Sequence, residues 1–259
     1  MLVHEYCGLG KKDYLNSSRE LLYGIEYEIE SISYISDVLT QTMKTIALDN
    51  SLRNNGKEFI TNPNNFQIHL KIFDLLHNGK DLKFSDKHDP FSHRTSIHIH
   101  VNTRNLQVKT VKNIIHAYIL TEKLFMNFVG PERENNIFCV PLYTTNLCKV
   151  YNNSLADMMH NWHKYTAFNL CRLGDLGTIE FRHLYGTSDR TVFINWFSAI
   201  HDLFEYFINH QQVNFLEECI KDRVGFVKQF CPFLSSSYSD IMLEDLTEDT
   251  YLDLLQGYL

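Results

Sequence analysis

Thr178-Ile179-Glu180-Phe181-Arg182 is the stretch from which the rest of this sequence can be read. Successive side chains on a β-strand point to opposite faces, so Glu180 and Arg182 share one face and Ile179 and Phe181 the other. The apolar pair can enter a core, which leaves the charged pair together on the open face of a sheet. A carboxylate suits Mg²⁺ and a guanidinium suits a phosphate oxygen. Half-solvated strands often carry Glu and Arg, so the pattern alone says little. It gains weight from three comparable displays upstream.

The first is Tyr23-Gly24-Ile25-Glu26-Tyr27-Glu28-Ile29-Glu30, which alternates cleanly and sets three glutamates on one face. Like charges on one strand face repel by about several tenths of a kcal/mol per neighbour. A solvated face tolerates that; a metal-binding face relieves it and explains why no Lys or Arg is interleaved. The second is Lys57-Glu58-Phe59-Ile60-Thr61, a strand with a carboxylate in its middle. It follows a strand expected near Thr42–Ala47, the segment Asp49-Asn50-Ser51 and the turn signature Asn54-Asn55-Gly56. The third is Ser96-Ile97-His98-Ile99-His100-Val101-Asn102, expected to begin at Arg94, with both imidazoles on one face of a β-branched strand. A lone His is more often structural. Two at i,i+2, with no Cys at zinc spacing beside them, point to a mixed carboxylate–imidazole site for a hard cation.

The intervening segments read as scaffold. Helical spacing is present from Asn65 to Leu76, along Leu106–Val129, and from Arg190 to about His210 behind a Ser188 or Asp189 cap. Tyr151–Trp162 reads as helical or irregular. Lys164–Leu170 is expected as a strand that forms a hairpin with the Glu180 strand through the Gly174–Gly177 turn. Arg133 falls in a polar loop, where a basic residue is usually just solvated. Residues 1–20 carry no firm pattern. The expected division is a catalytic unit over 1–212 and a helical C-terminal extension over 213–259, which from Asp240 onward has six acidic residues and no basic one.

Composition narrows the function class. A net charge of −7 argues against nonspecific binding to nucleic acid or an anionic membrane. No apolar run approaches the roughly 20 residues of a bilayer span. The start lacks a basic segment followed by an apolar one, so a cytoplasmic protein is expected. Cys7, Cys139, Cys148, Cys171, Cys219 and Cys231 are scattered without a CxxC pair, which reads as reduced thiols.

In their order, YGIEYEIE (23–30), LDNSLRNNGKEFIT (48–61), SIHIHVN (96–102), the segment from Arg133 to Pro141, and KYTAFNL with GTIEFRHLYGT (164–187) resemble the amidoligase family of phage and bacterial genomes. Those enzymes are relatives of the glutamine synthetase and glutamate–cysteine ligase catalytic fold. The resemblance spans about residues 22–200. It implies an α+β fold, a curved antiparallel sheet in a glutamine-synthetase-like half-barrel backed by helices, with ATP and Mg²⁺ or Mn²⁺ on the open face. By motif, Glu26, Glu28, Glu58, His98 and Glu180 resemble metal ligands. His100 is similar to a phosphate-side histidine and Arg182 to a phosphate clamp, with Arg133 and Lys164 in the same catalytic and nucleotide-binding set. Asn50 departs from the family's Asp-Gly-Ser, which puts any role of Asp49 or Ser51 in doubt.

The expected activity is ATP-dependent joining of a carboxylate to an amine through an acyl phosphate, on small-molecule or peptide substrates and as a monomer. A metal-dependent amide hydrolase on the same face, a catalytically inactive nucleotide- or metal-binding module, and a plain α+β domain with charged strand faces are the competing readings.

Overall fold

The computed structural model describes residues 1–10, 21–85, 87–145 and 153–258. Cys148 and the first two residues of the segment Tyr151–Trp162, expected as helical or irregular, lie outside them.

The described residues form eight strands: β1 (Tyr23–Ile29), β2 (Ile32–Ile35), β3 (Thr45–Leu48), β4 (Lys57–Ile60), β5 (Leu82–Phe84), β6 (Ser96–Asn102), β7 (Phe168–Asn169) and β8 (Thr178–Tyr185). Six of them form one sheet in the order β3-β4-β1-β6-β8-β7, antiparallel at every pairing, and β2 pairs with β5 apart from it. The sheet is not closed into a barrel; β3 and β7 are its edges.

Alternation decides which face is covered. Ile25, Tyr27, Ile97, Ile99, Val101, Ile179 and Phe181 are all nearly or fully buried on one face. Each such side chain contributes about 1.5–3 kcal/mol relative to exposure. They pack against α3 (Phe66–His77), α4 (Val108–Val129) and α7 (Arg190–Asn209), through ring contacts such as Tyr27 with Phe193, and Phe181 with Tyr118, Phe125 and Trp196. The helices start where side chains accept orphan backbone N–H groups. Asn65 accepts from Ile68 N, and Asp189 accepts from Thr191 N and Val192 N, so of the two expected caps it is Asp189 that acts.

Outside this layer, α8 (Phe215–Phe230), α9 (Pro232–Ser235) and α10 (Asp240–Tyr258) pack on α4 and α7. The acidic row of α10 is partly offset by basic neighbours, with Lys123 on Asp249 and Arg223 on Glu248. Short helices fill the connections: α1 (Val3–Tyr6), α2 (Asp37–Thr42), α5 (Pro131–Glu134) and α6 (Leu155–Asn161). No helix among the described residues is long and apolar enough to cross a membrane. The five described cysteines are free.

Three local expectations are corrected. The strand expected from Thr42 begins at Thr45, because Ser36 caps α2 and residues 37–42 are helical. The strand expected over Lys164–Leu170 shrinks to Phe168–Asn169; Thr166 instead bridges in parallel to Val140. Arg133 is not in a solvated loop but in α5, and it is buried.

Candidate active site

The four sequence displays fall on four adjacent strands, β4, β1, β6 and β8, and on the sheet's uncovered face. The register sets Glu28 opposite Glu58, Glu26 opposite His98, and His100 opposite Glu180. They converge on a cleft of about 500 Å³ lined by Glu26, Glu28, Glu58, His98, His100, Lys164, Glu180 and Arg182. Asp49 and Arg172 join them, so five carboxylates face three cationic side chains in one cleft. Such an excess of negative charge attracts a cation.

The centre is close-knit. His98 Nδ1 lies 3.3 Å from Glu26 and 3.6 Å from Glu180, and His100 Nε2 lies 3.2 Å from Glu26 and 4.0 Å from Glu180. Oxygen and nitrogen donors of Glu26, His100 and Glu180 all fall within 4.8 Å of one another, close enough to share an ion. The imidazole in that triad is His100, whereas motif comparison points to His98.

A second ring of polar side chains, which sequence reading passed over, orients these groups. Asn169 Nδ2 donates to Glu180 Oε2 at 2.9 Å, and Thr178 Oγ1 sits 3.2 Å from His100 Nδ1. Ser96 Oγ contacts Glu28 and lies 2.7 Å from His98 Nε2. Thr178 engages His100 at Nδ1, which leaves Nε2 facing the carboxylates of Glu26 and Glu180. That buried Nε2 has no aligned hydrogen bond, an arrangement suited to a metal ligand oriented by its other nitrogen. The available signal for Ser96 and Thr178 was their position on the polar side of an alternating strand; Asn169, which alternates with Tyr165 and Ala167, carried none.

The charges respond to one another. Burial alone would raise the Glu26 pKa, but the close imidazoles of His100 and His98 outweigh it and hold the carboxyl well below the usual range. Burial opposes protonation of His100, yet Glu26 and Glu180 raise its pKa. Glu58 has no such partner: burial, then the charges of Glu26, Glu28 and Asp49, push it up to about 7.

The remaining cations divide between cleft and scaffold. Arg182 lines the cleft and pairs with Glu180. Lys164 is exposed at the rim, with Nζ 4.5 Å from the centre of the Tyr165 ring. Arg133 is not brought into the cleft. Its guanidinium donates to the Arg182 carbonyl at 2.6 Å and the His183 carbonyl at 2.7 Å, and it lines a separate cavity with Tyr185 and Gly186.

Residues 85–201 match a family model described as "putative amidoligase enzyme". The match includes His98, His100, Lys164, Glu180 and Arg182, along with Arg133, but not β1 or β4. The match thus covers the His/Glu/Arg half of the cleft, and the geometry adds Glu26, Glu28 and Glu58 from strands beyond it. No curated protein matches the chain.

Proposed function

We propose that this chain is an ATP-dependent carboxylate–amine ligase, acting on small-molecule or peptide substrates. The carrying observation is the convergence of the four displays in one cleft around the Glu26–His100–Glu180 triad. Joining a carboxylate to an amine in water requires an activated acyl group. A carboxylate oxygen attacks the terminal phosphorus of ATP and ADP departs; the amine then attacks the acyl carbon, phosphate leaves, and a proton is lost.

Phosphoryl transfer asks a protein mainly for position and charge. In this reading Glu26, His100 and Glu180 hold one Mg²⁺ or Mn²⁺, and Glu28 and Glu58, beside His98, hold a second. An ion that keeps several waters needs only one or two carboxylates, so the set suffices. An ion held there would supply neutralisation of phosphate charge and polarisation of the transferred group. Arg182, fixed by Glu180 and by the Arg133-anchored β8 backbone, would meet the phosphate oxygens from the cleft wall, with Lys164 at the rim. The open sheet with every display on its uncovered face supports a glutamine-synthetase-like half-barrel as the finer fold reading.

The test is incubation with Mg·ATP, hydroxylamine as a general amine, and pooled amino acids and dicarboxylates. The expected products are an acyl hydroxamate and ADP in equal amounts. ATP-independent cleavage of the corresponding amides would overturn the ligase reading in favour of a metal-dependent hydrolase.

A further inference from the structure

Beside the acidic cleft, and sharing Glu26, Ile60 and His100 with it, lies a second cavity of about 290 Å³. Its floor is Gly24 on β1, which is paired opposite His100. From the β4 side it is walled by Ile60 and Pro63, and from the β8 side by Leu176, which is 43% exposed. Asn102 lies at its edge.

Gly24 has no internal reason to be glycine. It sits in the interior of a central strand, its φ is not positive, and a Cβ built on it would meet nothing nearer than His100 Cβ at 3.8 Å, an ordinary contact. Glycine inside a strand weakens it, and commonly marks a place where a ligand comes close. Gly56 and Gly177 differ, since a Cβ at either would fall 2.5 Å or less from neighbouring atoms. The missing side chain at Gly24 leaves the floor of the cavity open.

We propose that this slot over Gly24 binds a flat, uncharged ring of about nucleobase size, carried by the molecule whose charged end lies at Glu26 and His100. Aliphatic walls on two flanks suit the faces of a ring. Asn102 Oδ1 accepts from Arg104 N at 3.2 Å, which turns the amide N–H groups toward a ring heteroatom. Of the two cations in the lining, Arg104 is tied back by the carbonyls of Leu176 and Gly10 and Lys44 is exposed to solvent. The proposal deepens the ligase reading, in which the ring is either the base of ATP or an aromatic group of the carboxylate or amine substrate.

The series Gly24→Ala, Gly24→Val and Gly24→Leu fills the slot in steps, and the first of these adds only an ordinary contact. Calorimetry would follow Mg·ATP and magnesium triphosphate, and fluorine line broadening would follow 4-fluorobenzamide. If the ring is the base, ATP binding weakens along the series, by about 10- to 100-fold at Leu, while triphosphate is unchanged. If it belongs to the other substrate, ATP is unchanged and the fluorobenzamide signal is lost. Folded variants that bind all three probes like the wild type, or a wild type that binds neither ring-bearing probe, would overturn the slot. A wild type that binds neither Mg·ATP nor magnesium triphosphate while the fluorobenzamide signal still tracks Gly24 would sink the ligase reading alone.

Discussion

Glu58→Gln is expected to stabilise the metal-free protein at alkaline pH and to weaken its response to metal. Glu58 stands opposite Glu28, and burial together with Glu26, Glu28 and Asp49 lifts its pKa from 4.5 to about 7. A pKa raised by folding contributes stability that is complete below the unfolded value and is lost as pH rises through the folded one. Stability should thus fall between about pH 4.5 and 8 as Glu58 is forced to ionise beside its neighbours. Unscreened, the shift corresponds to about 3 kcal/mol. Glu58 is only half-buried, so solvent screening reduces that to about 1 kcal/mol. For a chain of 259 residues this is about 2 °C in Tm. The assay is scanning calorimetry in EDTA at pH 5 and 8.5, repeated in Mg²⁺ or Mn²⁺. The variant should gain about 2 °C at pH 8.5 and nothing at pH 5. With metal at about 100 times its Kd, the wild type should gain about 5 °C, and the variant less. Equal Tm values for the two proteins at pH 8.5 in EDTA would refute a repulsive cluster held ready for a cation.

Other consequences are independent of Glu58. Arg182→Ala should lower the rate of ADP formation by about 10²–10³-fold, as loss of a donor to developing charge does. An unchanged rate in the folded variant would remove Arg182 from the phosphate site. Glu122→Ala should cost about 3–5 kcal/mol in urea unfolding, because Tyr118 Oη, Leu142 N and Tyr143 N all donate to that buried carboxylate. A loss below about 1 kcal/mol would show that those donors find other acceptors. Gly177→Ala should destabilise by about 1–3 kcal/mol, since φ is +68° and a Cβ would lie 2.4 Å from Arg104 Cγ. Gly24→Ala should show no such loss when the two variants are compared by urea unfolding.

What the sequence disclosed was governed by local periodicity. Alternation located β1, β4, β6 and β8 to within a residue or two at most ends, and it put Glu26, Glu28, Glu58, His98, His100, Glu180 and Arg182 on one face. Which strands are neighbours is a non-local property, yet the order β4-β1-β6-β8 is what turns four displays into one cleft. Arg133 escaped local reading because its neighbours Glu132, Glu134 and Asn135 are polar. Only the docking of α5 against β8 buries its guanidinium on two carbonyls. The segment 164–170 alternates like a strand, but its first half is drawn to Val140 rather than to β8. Ser96, Asn169 and Thr178 are common on solvated strand faces, and only distances distinguish them as orienting groups.

The most direct measurement is calorimetric titration of ATP into the wild type and Glu180→Gln, each with and without Mg²⁺. Glu180 is 3% exposed, belongs to the triad and pairs with Arg182, so it bears on both the ion and the phosphates. The expected result is binding that requires Mg²⁺ and is lost in the variant. ATP binding equal in all four titrations, or none in the folded wild type, would contradict a metal–nucleotide site on this sheet.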